Sequence, residues 1–213
     1  MDQDNPYAAP QVALVDAQAP QQLPGWSPGQ LRLLGWLCLL SIASTLAALV
    51  AAVLASEQPG SVADMAGDWL SLLSTLLGCY LLLRLRVFLE QRFAAKGLRW
   101  PTGLIIFFSL LTELLDWLWG DAILASLGWQ TLSFFAAVLL LGVTMLWLGV
   151  VLLRVQDPYP SLRVMAWLEI AGGVMFTSVI LILIAIIPLL AASLAMALVF
   201  FRGASELSGR QAA

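Results

Sequence analysis

The chain alternates between apolar runs of membrane-spanning length and short polar breaks. Four runs are well bounded: about Leu33 to Ala55, Trp69 to Leu83, Gly103 to Trp119 and Thr131 to Leu153. A helix needs about 20 apolar residues to cross a hydrocarbon core of about 30 Å. Unpaired backbone is not tolerated in that core, so these runs predict helices. In the first run Ser41, Thr45, Ala48, Ala52 and Ala55 recur at steps of four and three, a small-residue stripe along which another helix approaches closely. Ser71, Ser74 and Gly78 give the second run a small face, and Gly142 and Gly149 do the same for the fourth. The second helix is expected to continue beyond the membrane through Arg92, because Arg86 and Glu90 stand four residues apart. Trp100-Pro101 is expected to mark the turn back into the bilayer.

The stretch from Val164 to Phe201 is a different problem. It is a long apolar segment with one charge, Glu169. As a single helix its 38 residues would extend about 57 Å, against a core of about 30 Å. Two short spans meeting near Ile187-Pro188 fit better, and the distribution of charge favours them. With six spans, all ten basic residues fall on one side. Glu57, Asp64, Asp68, Glu113, Asp116 and Asp121 then fall on the other side or in the adjoining membrane halves. With five spans, Arg202 and Arg210 would change sides. The expected fold is therefore all-α, a polytopic transmembrane helix bundle of six spans in three hairpins. Residues 1–30 form a disordered cytoplasmic tail, 31–204 the transmembrane domain and 205–213 a short cytoplasmic tail. The inward-going helices end alike, in LLLRLR, VLLRVQ and VFFRGA, as a stop signal for each span requires.

Composition agrees with that reading. The chain is 61% hydrophobic and 11% charged, where a soluble domain carries about 25% charged residues. The segment Leu81 to Arg99 holds Arg84, Arg86, Arg92, Lys96 and Arg99, half of the basic residues. Lys and Arg near span ends stay cytoplasmic, so this cluster sets the orientation, with both termini inside. The same cluster is a candidate anionic-lipid contact. The net charge of −3 argues for no nucleic-acid role. Trp117, Trp119 and Trp129 form the opposite aromatic belt.

There is no histidine, which removes Ser-His and Cys-His nucleophile pairs and most zinc or haem sites. Cys38 and Cys79 both lie inside apolar runs and read as small packing residues. No catalytic motif is present, and no metal or cofactor is expected. The candidate ion, proton or polar contacts are the intramembrane acids Glu113, Asp116 and Glu169. Ser109, Glu113 and Asp116 follow one face of the third span, with Thr112 beside them and no base on that side. Either this is a cation- or proton-binding vestibule, or the span ends early and both acids lie in headgroup water; the shortness of the span favours the second. Glu169 shares a face with Gly172 and Gly173 and is expected to pair with Arg84, Arg86 or Arg154.

The opening Asn5-Pro6-Tyr7-Ala8-Ala9-Pro10 resembles that of uncharacterised small bacterial multi-spanning inner-membrane proteins with an NPYxxP N-terminal tail. The resemblance covers the first ten residues and implies a location, the cell inner membrane, without implying an activity. The functional expectation is a non-catalytic membrane scaffold or subunit, whose partners are the lipid bilayer and another membrane protein or a second copy of the chain. The alternative is a small transporter or cation- or proton-linked permease using the intramembrane acids. A water-filled cavity lined by Ser109, Thr112 and Glu113 would favour transport.

Overall fold

The computed structural model describes residues 25–55, 61–120, 122–125, 128–178 and 181–211. Among the described residues there are helices and turns and no strand. In order these are α1 (Pro28–Ala55), α2 (Val62–Phe93), α3 (Arg99–Trp119), the single turn α4 (Ala122–Ala125), α5 (Trp129–Leu153), α6 (Pro160–Thr177) and α7 (Ile182–Gln211). Helices α1, α2, α3, α5 and α7 are long and apolar enough to cross a membrane, so this is a multi-pass membrane protein built as a helix bundle. Helix α6 carries Arg163 and Glu169 and is more polar, but its 18 residues extend about 27 Å and it packs between α5 and α7. The apolar runs also placed one break at Trp100-Pro101 and another at Ile187-Pro188, and both breaks lie elsewhere.

The chain reverses between α2 and α3 at Ala94 to Leu98, where Ala94 (φ 48°) and Gly97 (φ 83°) take left-handed backbone. Trp100 and Pro101 belong to the first turn of α3, where a missing proline N–H removes nothing from the helix. Helix α6 ends at Thr177 and α7 begins at Ile182, and Pro188 lies inside α7. The Thr177 and Ser178 hydroxyls bond back to the Val174 and Met175 carbonyls at 2.8 and 2.7 Å. Ser178 Oγ also accepts the Leu181 N–H at 3.2 Å, as a cap for the next helix. Pro188 removes a single helical N–H bond. In an apolar stretch the backbone keeps its remaining bonds by staying helical. The described part of the C-terminal segment, Ser205 to Gln211, continues α7. The NPYxxP stretch, Glu57 and Asp121 lie outside the described residues.

Each long helix packs against the next, and α7 packs against α1, so the six close into a ring. The α5–α6 seam is the tightest. A Cβ on Gly173 would stand 2.7 Å from the Gly142 carbonyl oxygen, and one on Gly149 would stand 2.8 Å from that of Ala166. On α1 the small stripe faces α2 through Ser41, Ser44, Ala51 and Ala55; Ala51, 3.5 Å from where a Gly67 Cβ would lie, takes the place expected for the exposed Ala52.

The starts of α1, α3 and α6 and the ends of α2, α5 and α7 share one end of the ring, which collects the basic residues. Here the bundle is solid. Leu31, Leu85, Phe88, Leu152, Leu162 and Phe200 are fully buried. The Phe88 ring packs edge-on against Trp26, Phe93 and Phe200, with centroids 5.6, 6.5 and 6.0 Å away. Gly203 of α7 leaves room for Phe88 and Leu31.

The glycine seam makes a paired prediction. Gly173→Ala is expected to lower stability in detergent by about 1–3 kcal/mol, because carbonyl and backbone nitrogen atoms cannot yield to the new methyl group. Gly78→Ala, where a Cβ meets nothing within 4 Å, is expected to be neutral or stabilising by up to about 1 kcal/mol. Thermal unfolding followed by circular dichroism compares the two.

Candidate functional site

The ring surrounds a half-open cavity of about 380 Å³ with walls from all six long helices. Its polar wall comes from Ser41 and Thr45 of α1, Ser74, Thr75 and Cys79 of α2, and Ser109 of α3. Across from them stand Glu169 of α6 and Ser193 of α7. Met145, Met165, Met196 and Phe176 contribute much of the apolar wall. The solid core at the basic end closes the ring on that side. A second, larger concavity of about 530 Å³ is an open trough between α6 and α7 at the basic end, lined by Ser161, Leu198, Phe201, Arg202 and Ser205. It lies on the outer surface of the ring and does not reach the interior.

Glu169 is the acid that faces the cavity. It is 9% exposed, and its Oε2 has no hydrogen-bond partner among the described residues. The arginine expected beside it is absent. Arg86 Nε pairs with Glu90 Oε1 at 2.7 Å, Arg84 lies 4.5 Å over the Trp26 ring and Arg154 is exposed. The reason is geometric: these arginines occupy the basic end, whereas Glu169 lies two turns deeper on the packed face of α6 with Gly172 and Gly173. A buried carboxyl group without a cationic partner is costly as an anion, so it is neutralised by a proton or by a bound cation.

Glu113 behaves differently. Its Oε2 accepts from Thr75 Oγ1 at 3.0 Å and from Ser71 Oγ at 3.4 Å, so it clips α3 to α2. It is half-buried and is not part of the cavity wall, and Asp116, one turn on, is exposed. The Thr112 hydroxyl turns back to the Phe108 and Ser109 carbonyls at 3.0 and 2.9 Å. Of the vestibule expected around Ser109, Thr112 and Glu113, the cavity therefore keeps only Ser109, and its acid is Glu169. A further hydroxyl cluster joins α1 to α2, with Thr45 Oγ1 and Ser74 Oγ 2.6 Å apart and both near the Ser41 carbonyl. The small stripe on each helix contains these hydroxyls, but their pairing across helices has no signal in the sequence.

The five basic residues of Leu81 to Arg99 do not form one patch. Lys96 and Arg99 are exposed, and the others are engaged. Arg92 Nη2 and the Tyr159 hydroxyl both donate to Glu206 Oε2, at 3.1 and 2.6 Å, tying α2, the α5–α6 turn and α7 together. Arg202 lies 5.3 Å over the Tyr159 ring. Residues 92, 159 and 206 are too far apart in sequence for spacing to have revealed this contact. Among the described residues no group of three Cys, Asp or Glu side chains is arranged to hold a metal ion.

Two measurements test these contacts. Glu113→Ala is expected to destabilise the bundle by about 1 kcal/mol, the scale of a side-chain hydrogen bond between membrane helices, while Glu113→Gln retains an acceptor and most of the stability. Equal losses in thermal unfolding would assign the effect to charge. At the basic end, burial first and the Glu206 contact second push the Tyr159 phenol up to about 12, from the ordinary 10. Below pH 10 the phenol is protonated in both folded and unfolded chains. Between about pH 10 and 12 the unfolded chain releases its proton first, so this part of the stability falls as pH rises. Tyrosinate absorbance is expected to show a late-titrating phenol that Tyr159→Phe removes. The chain matches no protein-family model, no curated protein and no solved structure.

Proposed function

We propose that this protein is a small cation-linked permease whose solute site is the central cavity. The observation that carries this reading is Glu169, a buried carboxyl group with an unpartnered oxygen in the wall of a cavity lined by every long helix. A rigid structural bundle gains nothing from such a group, since desolvating it opposes folding. A solute site uses it, because a cation entering the cavity supplies the missing partner.

The positions of the seal and the cavity support the same reading. Large side chains fill the basic end around Phe88 and Phe200, and the cavity begins beyond them. Basic residues mark the cytoplasmic side, so the basic end faces the cytoplasm and the cavity lies toward the outside. In a bacterial cell the membrane would be the inner one, as the NPYxxP tail implies. The α2–α3 seam is the sparsest in the ring and is crossed by the Glu113 hydrogen bonds, which makes it the natural place for the cavity to open. No catalytic step enters this reading. A scaffold or subunit role draws its support from the exposed Lys96, Arg99, Arg154 and Arg163, which are free to meet anionic headgroups or a partner protein at the basic end.

Sided thiol labelling separates the two. Cys79 lines the cavity and Cys38 is buried in the core, so Cys38→Ala leaves one thiol as the reporter. A permease exposes the cavity to each side in turn. A membrane-impermeant thiol reagent is therefore expected to modify Cys79 from the outer face and, more slowly, from the cytoplasmic face. Protection from both faces would identify a closed bundle and favour the scaffold.

A further inference from the structure

The cavity has a chemical character that narrows its ligand. Its acid is Glu169, and its described lining includes no Lys or Arg. Around that acid the wall is soft and largely apolar, with the Met145, Met165 and Met196 side chains and the Phe176 ring. Two of the hydroxyls are turned onto their own helices: Ser193 Oγ donates to the Leu189 carbonyl at 3.1 Å, and Thr45 Oγ1 to that of Ser41 at 3.0 Å.

This lining suits some cations and not others. Hard metal ions such as calcium take 6–8 oxygen ligands, as a typical coordination number, at about 2.3–2.6 Å. The other oxygens in the wall are hydroxyls spread over α1, α2, α3 and α7, and those of Thr45, Ser74, Thr75 and Ser193 already donate to protein acceptors. With one carboxylate they do not build that shell, and the cavity is also far larger than an ion. An alkylammonium group needs no such shell. It needs one counter-ion, with polarisable surface around its carbon substituents, which thioethers and an aromatic face supply. The volume of about 380 Å³ falls in the range of small-molecule sites, about 300–1,000 Å³.

We propose that the central cavity binds an organic cation, a protonated or quaternary amine with an apolar body, and that the Glu169 carboxylate is its counter-ion. The charged group sits against α6, and the apolar body lies among the methionine side chains and Phe176. The assignment deepens the permease reading and rests on the same cavity, but it concerns binding and needs no turnover.

The test uses the full chain in lipid nanodiscs, with empty nanodiscs as the background. Binding of radiolabelled benzyltrimethylammonium is followed by equilibrium dialysis. Neopentylbenzene, its neutral isostere, and potassium chloride serve as competitors. Saturable binding of one cation per chain is expected, with neither competitor displacing it at equal concentration. Glu169→Gln is expected to weaken binding at least about tenfold, because it removes the buried counter-ion. Glu169→Asp preserves the charge and is expected to retain binding within a few-fold, while Glu90→Gln, an acid paired with Arg86 outside the cavity, leaves the affinity unchanged. Helicity and a monodisperse elution profile establish that each variant is folded. Lack of saturable binding to the wild-type chain overturns the proposal, as does equal affinity in folded Glu169→Gln. Displacement by neopentylbenzene would show that charge does not matter, and displacement by potassium would show that the organic body does not; either overturns it. Two-sided labelling of Cys79 without cation binding overturns this assignment and leaves the permease standing. Cation binding with one-sided labelling supports this site and overturns the permease.

Discussion

The packing of α1 against α7 is the contact on which the interior depends. Without it the helices would form an open row, with the polar faces of α1 and α7 turned to lipid. With it they form a ring, and the hydroxyls of Ser41, Thr45 and Ser193 share an interior. Small residues make this closure. Gly35 lies beneath the Phe201 ring, and Gly203 leaves space for Phe88 and Leu31. Lipid is as apolar as leucine, so helices in a membrane associate through such close contact and not through hydrophobic burial.

The two ends of the ring do different work. At the basic end, stacked aromatic side chains and the Arg92–Glu206–Tyr159 contact hold the helices together. Toward the other end the contacts are uneven: α5 and α6 stay close through Gly142 and Gly173, while α2 is joined to α1 and α3 by hydroxyl contacts, Thr45–Ser74 and Thr75–Glu113. The sparse packing is therefore confined to the α2–α3 side of the ring.

The spans were legible because lipid imposes one rule on every residue at a given depth. The bounds read from apolar runs lie within a few residues of α1, α3 and α5, and α2 continues past Arg92 with Arg86 and Glu90 paired as their spacing implied. The errors came where local chemistry competes with that rule. Pro188 looked like a breaker, but backbone in an apolar environment keeps its remaining bonds, while the Thr177-Ser178 pair offers its own hydroxyls to the helix carbonyls and ends α6.

The sequence alone therefore determined that the chain is a multi-pass helical membrane protein, roughly where α1, α3 and α5 lie, and that its basic residues gather at one end. These follow from length, hydropathy and charge, which are properties of single residues and short runs. Only the tertiary structure decided which of the intramembrane acids faces the interior. Glu113 and Glu169 look alike as isolated charges in apolar runs. Helix α2 presents Ser71 and Thr75 to the first, while the second has only the cavity before it. That difference depends on which helices become neighbours, and adjacency in a closed ring is set by packing between residues distant in the chain.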